Sequence, residues 1–223
     1  MSTFDPKRVA TRLTLDRLGS YLAAAGGNVA EAVELYDWNV SVGAAFHEDI
    51  GRLEVVLRNA LDESLTSYGK GQGWSAIWYR RDQLFPGNHG RRAVEDIATA
   101  CRRATRGGRA ETHGKVIAEL TFGFWRYLCT PAYLTSMWVP ALAGAFPRHP
   151  DAADPRAVRR VVDDRVQRVH FLRNRVAHHE PIHQRNLQRD HDGLLEVISW
   201  VDSDAEEWLR RASRLSSTLA ARP

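Results

Sequence analysis

Between Phe171 and His183 the chain reads Phe-Leu-Arg-Asn-Arg-Val-Ala-His-His-Glu-Pro-Ile-His. Arg173, Asn174, Arg175, His178, His179, Glu180 and His183 all fall inside it, the densest supply in the sequence of groups that move protons or grip phosphate. Two chemistries fit these residue types. In one, Arg173 and His178 act together on a phosphodiester. In the other, His179-Glu-Pro-Ile-His183 is a zinc-protease H-E-x-x-H string.

The zinc reading requires two His one turn apart in a regular helix, with the Glu beside a metal-bound water. Pro181 falls between the two His. Its ring lacks an N–H and clashes with the carbonyl four residues back, that of Ala177, so a helix continuous through His183 is not expected. His191 and Glu196 could supply a third ligand by position only. This protease reading is a remote alternative, and no metal site is assigned.

The phosphodiester reading places Arg173 and His178 five residues apart, about 140° around an ideal helix. They converge only if the helix unwinds before Pro181 or if two copies of the helix pack across a two-fold axis. Asn174 and His178, one turn apart, share a face. A His near its ordinary pKa moves protons at neutral pH, and Arg offers a fixed fork of donors to a phosphate gaining charge. Together they suffice for RNA cleavage by the 2′-hydroxyl, with no metal and no organic cofactor. A capped helix end with satisfied polar groups would show the same spacing.

These groups need helices to hold them. Asp154-Pro155 is a cap and first-turn pair, followed by Val158, Val162, Val166, Val169, Leu172 and Val176 on one face. The spacing predicts a helix over 155–178, closed or bent by Pro181. Phe46, Ile50, Leu53, Leu57, Leu61 and Leu65 predict a second long helix over 42–66, which carries Glu54 and Arg58 one turn apart, suited to an ion pair. Trp38-Asn-Val-Ser41 reads as a break before it, with Ser41 as the cap. Upstream, Asp5-Pro6 opens a helix that Gly26-Gly27 ends, and Asn28 with Glu31 forms a capping box.

Val116 to Leu128 reads as one helix, and Asn88 as the cap of another reaching about Arg106. Thr130-Pro131 starts a further helix that Pro140 ends or kinks. Trp74, Trp78 and Tyr79 form an aromatic cluster. After a polar loop from Gln184 to Asp192, C-terminal helices fill about 193–220; Ser203-Asp-Ala-Glu206 caps the last one, with Trp208 and Leu209 buried. No alternating strand pattern and no repeat appear. The expectation is one all-α domain over 1–223, a helical bundle of seven or more helices.

Composition fits an ordinary globular protein, with 43% apolar and 26% charged residues. A net charge of +4 permits a nucleic-acid partner without requiring one. Arg102, Arg103, Arg106 and Arg109 are the densest basic run and, with Arg175, the candidate RNA-backbone contacts. Cys101 and Cys129 are too few for a disulfide framework. Met-Ser-Thr-Phe-Asp-Pro-Lys-Arg lacks the apolar core of a signal peptide, and no run approaches the roughly 18 apolar residues of a membrane span. A cytoplasmic location away from the membrane is expected.

Arg173-Asn-Arg-Val-Ala-His178-His resembles the R-[polar]-x-x-x-H motif of the HEPN superfamily, in the version of its Abi-like (abortive infection) branch. Leu53-Glu-Val-Val-Leu-Arg-Asn59 and Leu120-Thr-Phe-Gly-Phe-Trp125 extend the resemblance, which covers roughly Asp16 to His183. It implies a HEPN-like helical bundle acting as a metal-independent endoribonuclease in phage defence or as a toxin. It further implies a homodimer whose motif helices face one composite cleft. On that resemblance Arg173 and His178 are the catalytic pair and Asn174 the polar residue between them. His179 assists or flanks, and Glu54, with Arg58 beside it, orients an Arg. RNA is the implied partner, with an antitoxin or regulatory protein as a second. Glu180 stands where HEPN toxins silenced by adenylylation carry Tyr, which argues against that form of control. Other HEPN domains bind RNA, nucleotide or protein without cleaving, and a non-catalytic module is the alternative.

Overall fold

The structure is a computed structural model that describes residues 4–74 and 77–223; Met1–Thr3 of the N-terminal reading lie outside the described residues. These residues form ten α-helices and no strand, as expected for an all-α chain. α1 spans Pro6–Leu13 and α2 Leu15–Ala24. The two are not one helix as the sequence suggests, because Thr14 adopts φ +69° between them. Asp5 caps α1 by accepting from the Lys7 N–H.

α3 runs from Val29 to Gly71, 43 residues, about 65 Å at the rise of an α-helix. Asn28 caps it, accepting from the N–H groups of Ala30 and Glu31. The helix passes straight through Trp38–Ser41, where the sequence reads as a break. The reason is tertiary. Asn39 is buried, and its side-chain oxygen accepts from the N–H groups of Ile182 and His183 at 2.8 and 3.1 Å. A side chain that would otherwise compete with the helix backbone is spent on a distant loop. Trp38 is anchored too, donating to the Thr218 carbonyl. The expected stripe Phe46, Ile50, Leu53, Leu57, Leu61 and Leu65 is fully buried.

α4 (Gly87–Ala104) starts without a side-chain cap, so Asn88 does not serve as one. Within it Gly90 has no substitute: a Cβ there would lie 1.9 Å from the Phe85 carbonyl oxygen. The predicted 116–128 helix is two helices, α5 (His113–Glu119) and α6 (Phe122–Leu128). Thr121 separates them and caps α6 by accepting from Phe124 N–H. Pro131 opens only a 3₁₀ turn to Tyr133, followed by a π turn over Leu134–Trp138.

α7 (Pro155–Ala177) is capped by Asp154 as predicted, and Val158, Val162, Val166, Val169 and Leu172 are buried. α8 (Leu187–Val201) begins earlier than its apolar pattern indicates, because Asn186 caps it. α9 (Ser203–Ala212) is capped by Asp202 rather than Ser203, and α10 (Leu215–Ala220) follows. Leu209 is buried, whereas Trp208 is exposed beneath the Arg52 guanidinium, 6.0 Å from its ring.

α3 is the axis of the bundle. It packs against α1, α2, α6, α7, α8, α9 and α10, and α7 in turn packs on α6 and α8. The 42–66 and 155–178 segments thus lie side by side as expected, with α6 in contact with both. Among the described residues no helix is long and apolar enough to cross a membrane.

Candidate functional site

α7 stays helical through Ala177, so Pro181 does not unwind it before His178. His178 is the C-cap, its N–H donating to the Asn174 carbonyl at 3.0 Å. His179 then takes φ +55°, while its own N–H reaches Val176 O and that of Glu180 reaches Arg175 O. This is a Schellman ending, in which a left-handed residue closes the helix; Gly is the usual occupant, because a Cβ is strained there. The loop that follows is fixed from three directions. Arg17 donates to the His179 carbonyl at 2.6 Å, Arg175 donates to the Pro181 carbonyl at 2.8 Å, and Asn39 holds residues 182 and 183. Arg175, a candidate RNA contact in the sequence, also faces Glu180 at 3.5 Å and so ties the loop down.

The H-E-x-x-H string loses its geometry here. His179 is exposed outside the helix, whereas His183 is 1% exposed and packs on Tyr21 with ring centroids 4.5 Å apart. Burial depresses the His183 pKa. The two rings occupy separate environments. Of the positional third ligands, His191 is buried in α8 and Glu196 is bound by Arg165 at 2.6 Å. The zinc-protease reading fails because the helix ends before its first His.

Since α7 is unbroken, Arg173 and His178 keep their separation of about 140°, and no hydrogen bond joins them. Asn174 and His178 share the outward face with Phe171, which is 57% exposed. Arg173 projects from another side of α7, towards α3 and α6. There Glu54 is pushed above its ordinary pKa by burial, and Arg173, then Arg58 and His47, pull it back; the backbone N–H of Phe122 acts in the same direction. Glu54 and Arg58 do not close the ion pair their spacing suggests. His170, one turn before Arg173, packs on Phe122 with centroids 5.8 Å apart. Its pKa is lowered by burial first and then by the Arg126 and Arg173 charges.

The structure therefore places Glu54 under the influence of Arg173 and Arg58, and His170 under that of Arg126 and Arg173, and leaves Asn174 half-buried and His178 and His179 exposed. Arg126 and His170 are absent from the sequence reading. His170 was within reach of a helical wheel, since it lies three residues before Arg173. Arg126 sits inside the aromatic run of α6, and no sequence signal marks it. A groove of about 410 Å³ opens beside the helix end, with Val40, Ala44 and Val176 among its apolar walls and His47 and His179 on its rim. Arg102, Arg103, Arg106 and Arg109 are exposed at and beyond the end of α4 and form no ion pair among the described residues. Compared with known protein families, curated proteins and solved structures, the chain matches none.

Proposed function

We propose that the chain is a metal-independent endoribonuclease of the HEPN type, Abi-like in its motif, that acts as a cytoplasmic homodimer in phage defence or as a toxin. One observation carries the reading. The last turns of α7 leave Asn174 half-buried and His178 exposed, while Arg173, on another side of the helix, makes no side-chain hydrogen bond or ion pair among the described residues. A guanidinium free of protein acceptors and an accessible imidazole at one helix end are the two halves that a phosphodiester site needs.

In this mechanism the ribose 2′-oxygen attacks the adjacent phosphorus and the bond to the 5′-oxygen breaks. The products are a 2′,3′-cyclic phosphate and a 5′-hydroxyl. His178 serves the proton transfer, and Arg173 binds the oxygens on which charge accumulates. One helix cannot aim both groups at one phosphate. The reading therefore needs a second copy packed at the end of α7, so that the His178 of one protomer reaches the Arg173 of the other. Arg102, Arg103, Arg106 and Arg109 supply a sequence-independent hold on the RNA backbone.

The test is RNA digestion in EDTA. Cyclic-phosphate ends should form, and Arg173→Ala and His178→Ala should each abolish them while circular dichroism stays unchanged. A requirement for added metal, or cleavage that survives both substitutions, would sink the proposal. The same unbroken helix favours a second reading, a non-catalytic module that binds RNA, nucleotide or protein. Equal growth on inducing the wild-type and His178→Ala chains would select it.

A further inference from the structure

The groove beside the end of α7 is walled mainly by carbon. Val40 and Ala44 come from α3, Val176 and Ala177 from α7, and Ile182 from the loop beyond. The two helices meet along it, since Val176 Cγ1 lies 3.8 Å from where a Gly43 Cβ would stand. At about 410 Å³ it falls within the range of small-molecule sites, roughly 300–1,000 Å³. Among the described residues no Lys or Arg lines it. The carboxylates at its edge are already answered, for Glu48 is held by Arg214 at 2.9 Å and Glu180 faces Arg175 at 3.5 Å. Walls of this kind suit neither a phosphate nor a cation, because a charge enters an apolar groove only with a partner. They take a neutral body.

One polar group in the wall is unspent. Asn39 lines the groove and is only 6% exposed. Its Oδ1 accepts from the N–H groups of Ile182 and His183, and two donors aimed at one atom fix which end of the amide is oxygen. The other end, Nδ2, donates to no protein acceptor among the described residues, yet it is not sealed from solvent. The opening that Asn39 lines is this groove. Buried amides are nearly always paired, so what the wall lacks is an occupant with an acceptor on its edge. His47 and His179 stand exposed at the rim, with rings able to lie against a flat ligand.

We propose that the groove is a nucleobase pocket, which seats one base of an RNA strand beside His178 with Asn39 Nδ2 donating to the edge of the base. The assignment deepens the ribonuclease reading, on which it rests for the identity of the strand. Ala177 and His179, the two chain neighbours of His178, both line the groove, so a base seated there belongs to a nucleotide next to the bond that is cleaved. Apolar walls cover the faces of the ring, and the amide meets its edge. With its oxygen spent on the loop, Asn39 offers donors and no acceptor. The carbonyl edge of uracil fits such a group, and the amino edge of adenine does not. Asn39 is thus a specificity-determining residue that the motif does not contain.

Three probes that cannot be cleaved test it: a 2′-O-methyl oligouridylate 12-mer, an abasic 12-mer with the same phosphates, and free uridine. Asn39→Asp keeps the oxygen that holds the loop and replaces only the donor end. Ala44→Phe fills the groove from an exposed position on α3. Circular dichroism checks each fold. The wild-type chain should prefer oligouridylate to the abasic strand, and each variant should cut that preference about tenfold or more, the scale of one buried donor left unpaired. The ratio of the two affinities is the readout, because it cancels the charge that Asp adds. No preference in the wild-type chain, or a preference within about twofold of wild type in either variant that folds, overturns the pocket. Binding of free uridine alone, with the same dependence on Asn39, overturns the strand as the source of the base. A changed oligomeric state in Ala44→Phe with the base preference intact would assign the groove to a second copy instead. Loss of the preference in both variants, with no RNA cleavage by the wild-type chain, would remove the enzyme and keep the pocket.

Discussion

Arg58 and Asp62 lie one turn apart on α3, yet their surroundings differ in kind. Asp62 accepts from the indole N–H of Trp78 at 2.6 Å and meets Nε2 of His113 at 2.9 Å from both oxygens. His113 also stacks on Tyr79, with centroids 5.6 Å apart. Both oxygens of this carboxylate are used, and they tie the start of α5 and the Trp78 turn to the central helix. The Nε of Arg58 is shielded from solvent and has no protein acceptor among the described residues. A carboxylate with both oxygens engaged is a fastening. A guanidinium with a shielded, unpaired Nε is not, and burial alone does not separate the two.

The largest effect should come from dividing Arg173 and His178 between protomers. Arg173→Ala and His178→Ala chains are each expected to be inactive, with losses on the order of 10²–10⁴. Refolded together, they should recover about a quarter of wild-type cleavage, because half of the dimers would be mixed and each mixed dimer would keep one intact Arg173/His178 site. Product formation in EDTA measures it. Recovery no greater than the sum of the two variants would place the pair within one chain, or remove the dimer.

The Asp62 fastening should respond in stability, not in chemistry. Asp62→Ala strands the buried Trp78 N–H and releases His113, at a cost of about 2–4 kcal/mol. A urea transition reads the loss directly. Cleavage per folded molecule should be unchanged. A fall in cleavage with full stability would show that Asp62 serves the site.

This contrast explains what the sequence could reveal. The caps Asp5, Asn28 and Asp154 and the stripes of α3 and α7 are local patterns, and the structure follows them. Trp38–Ser41 misleads because the partner of Asn39 is more than 140 residues away. Thr121 is the opposite case: a local cap inside an apolar run, overlooked because the run itself reads as helix. At the site, the motif resemblance points to Glu54, and the folded chain puts its carboxyl under the influence of Arg173. Arg126 carries no such signal, since only the packing of α6 on α7 puts His170 under its influence. Hydrophobicity alone places Trp208 in the interior, yet its amphipathic ring is served at the surface by Arg52.

A smaller effect is expected at Glu54. Burial raises its folded pKa above the unfolded value, so between the two the folded chain keeps a proton that the unfolded chain releases. Stability should fall as pH rises from the ordinary carboxylate value through the raised one. Glu54→Gln should remove that slope, an effect on the order of a few tenths of a kcal/mol after solvent screening. Arg173→Ala should steepen it, because Arg173 is the strongest influence holding the carboxylate down. Melting curves across acidic pH decide. An unchanged slope in Arg173→Ala would separate the two residues electrostatically.

The helix end offers the finest discrimination. His179 holds a left-handed backbone that suits Gly, and its carbonyl is gripped by Arg17. If the residue were only a terminator, selection for stability would favour Gly there. His179→Gly should stabilise the fold by roughly 1 kcal/mol, since the left-handed penalty for a side chain exceeds the entropy Gly brings to the unfolded state. The Arg17 bond is to the backbone and should survive. An imidazole retained at the rim of a groove at the expense of stability implies a use for the ring. His179→Gly should therefore melt higher and cleave more slowly than wild type, with His178 still in place. A variant that is more stable and equally active would reduce His179 to a flank of His178 and leave Arg173, Asn174 and His178 as the whole motif.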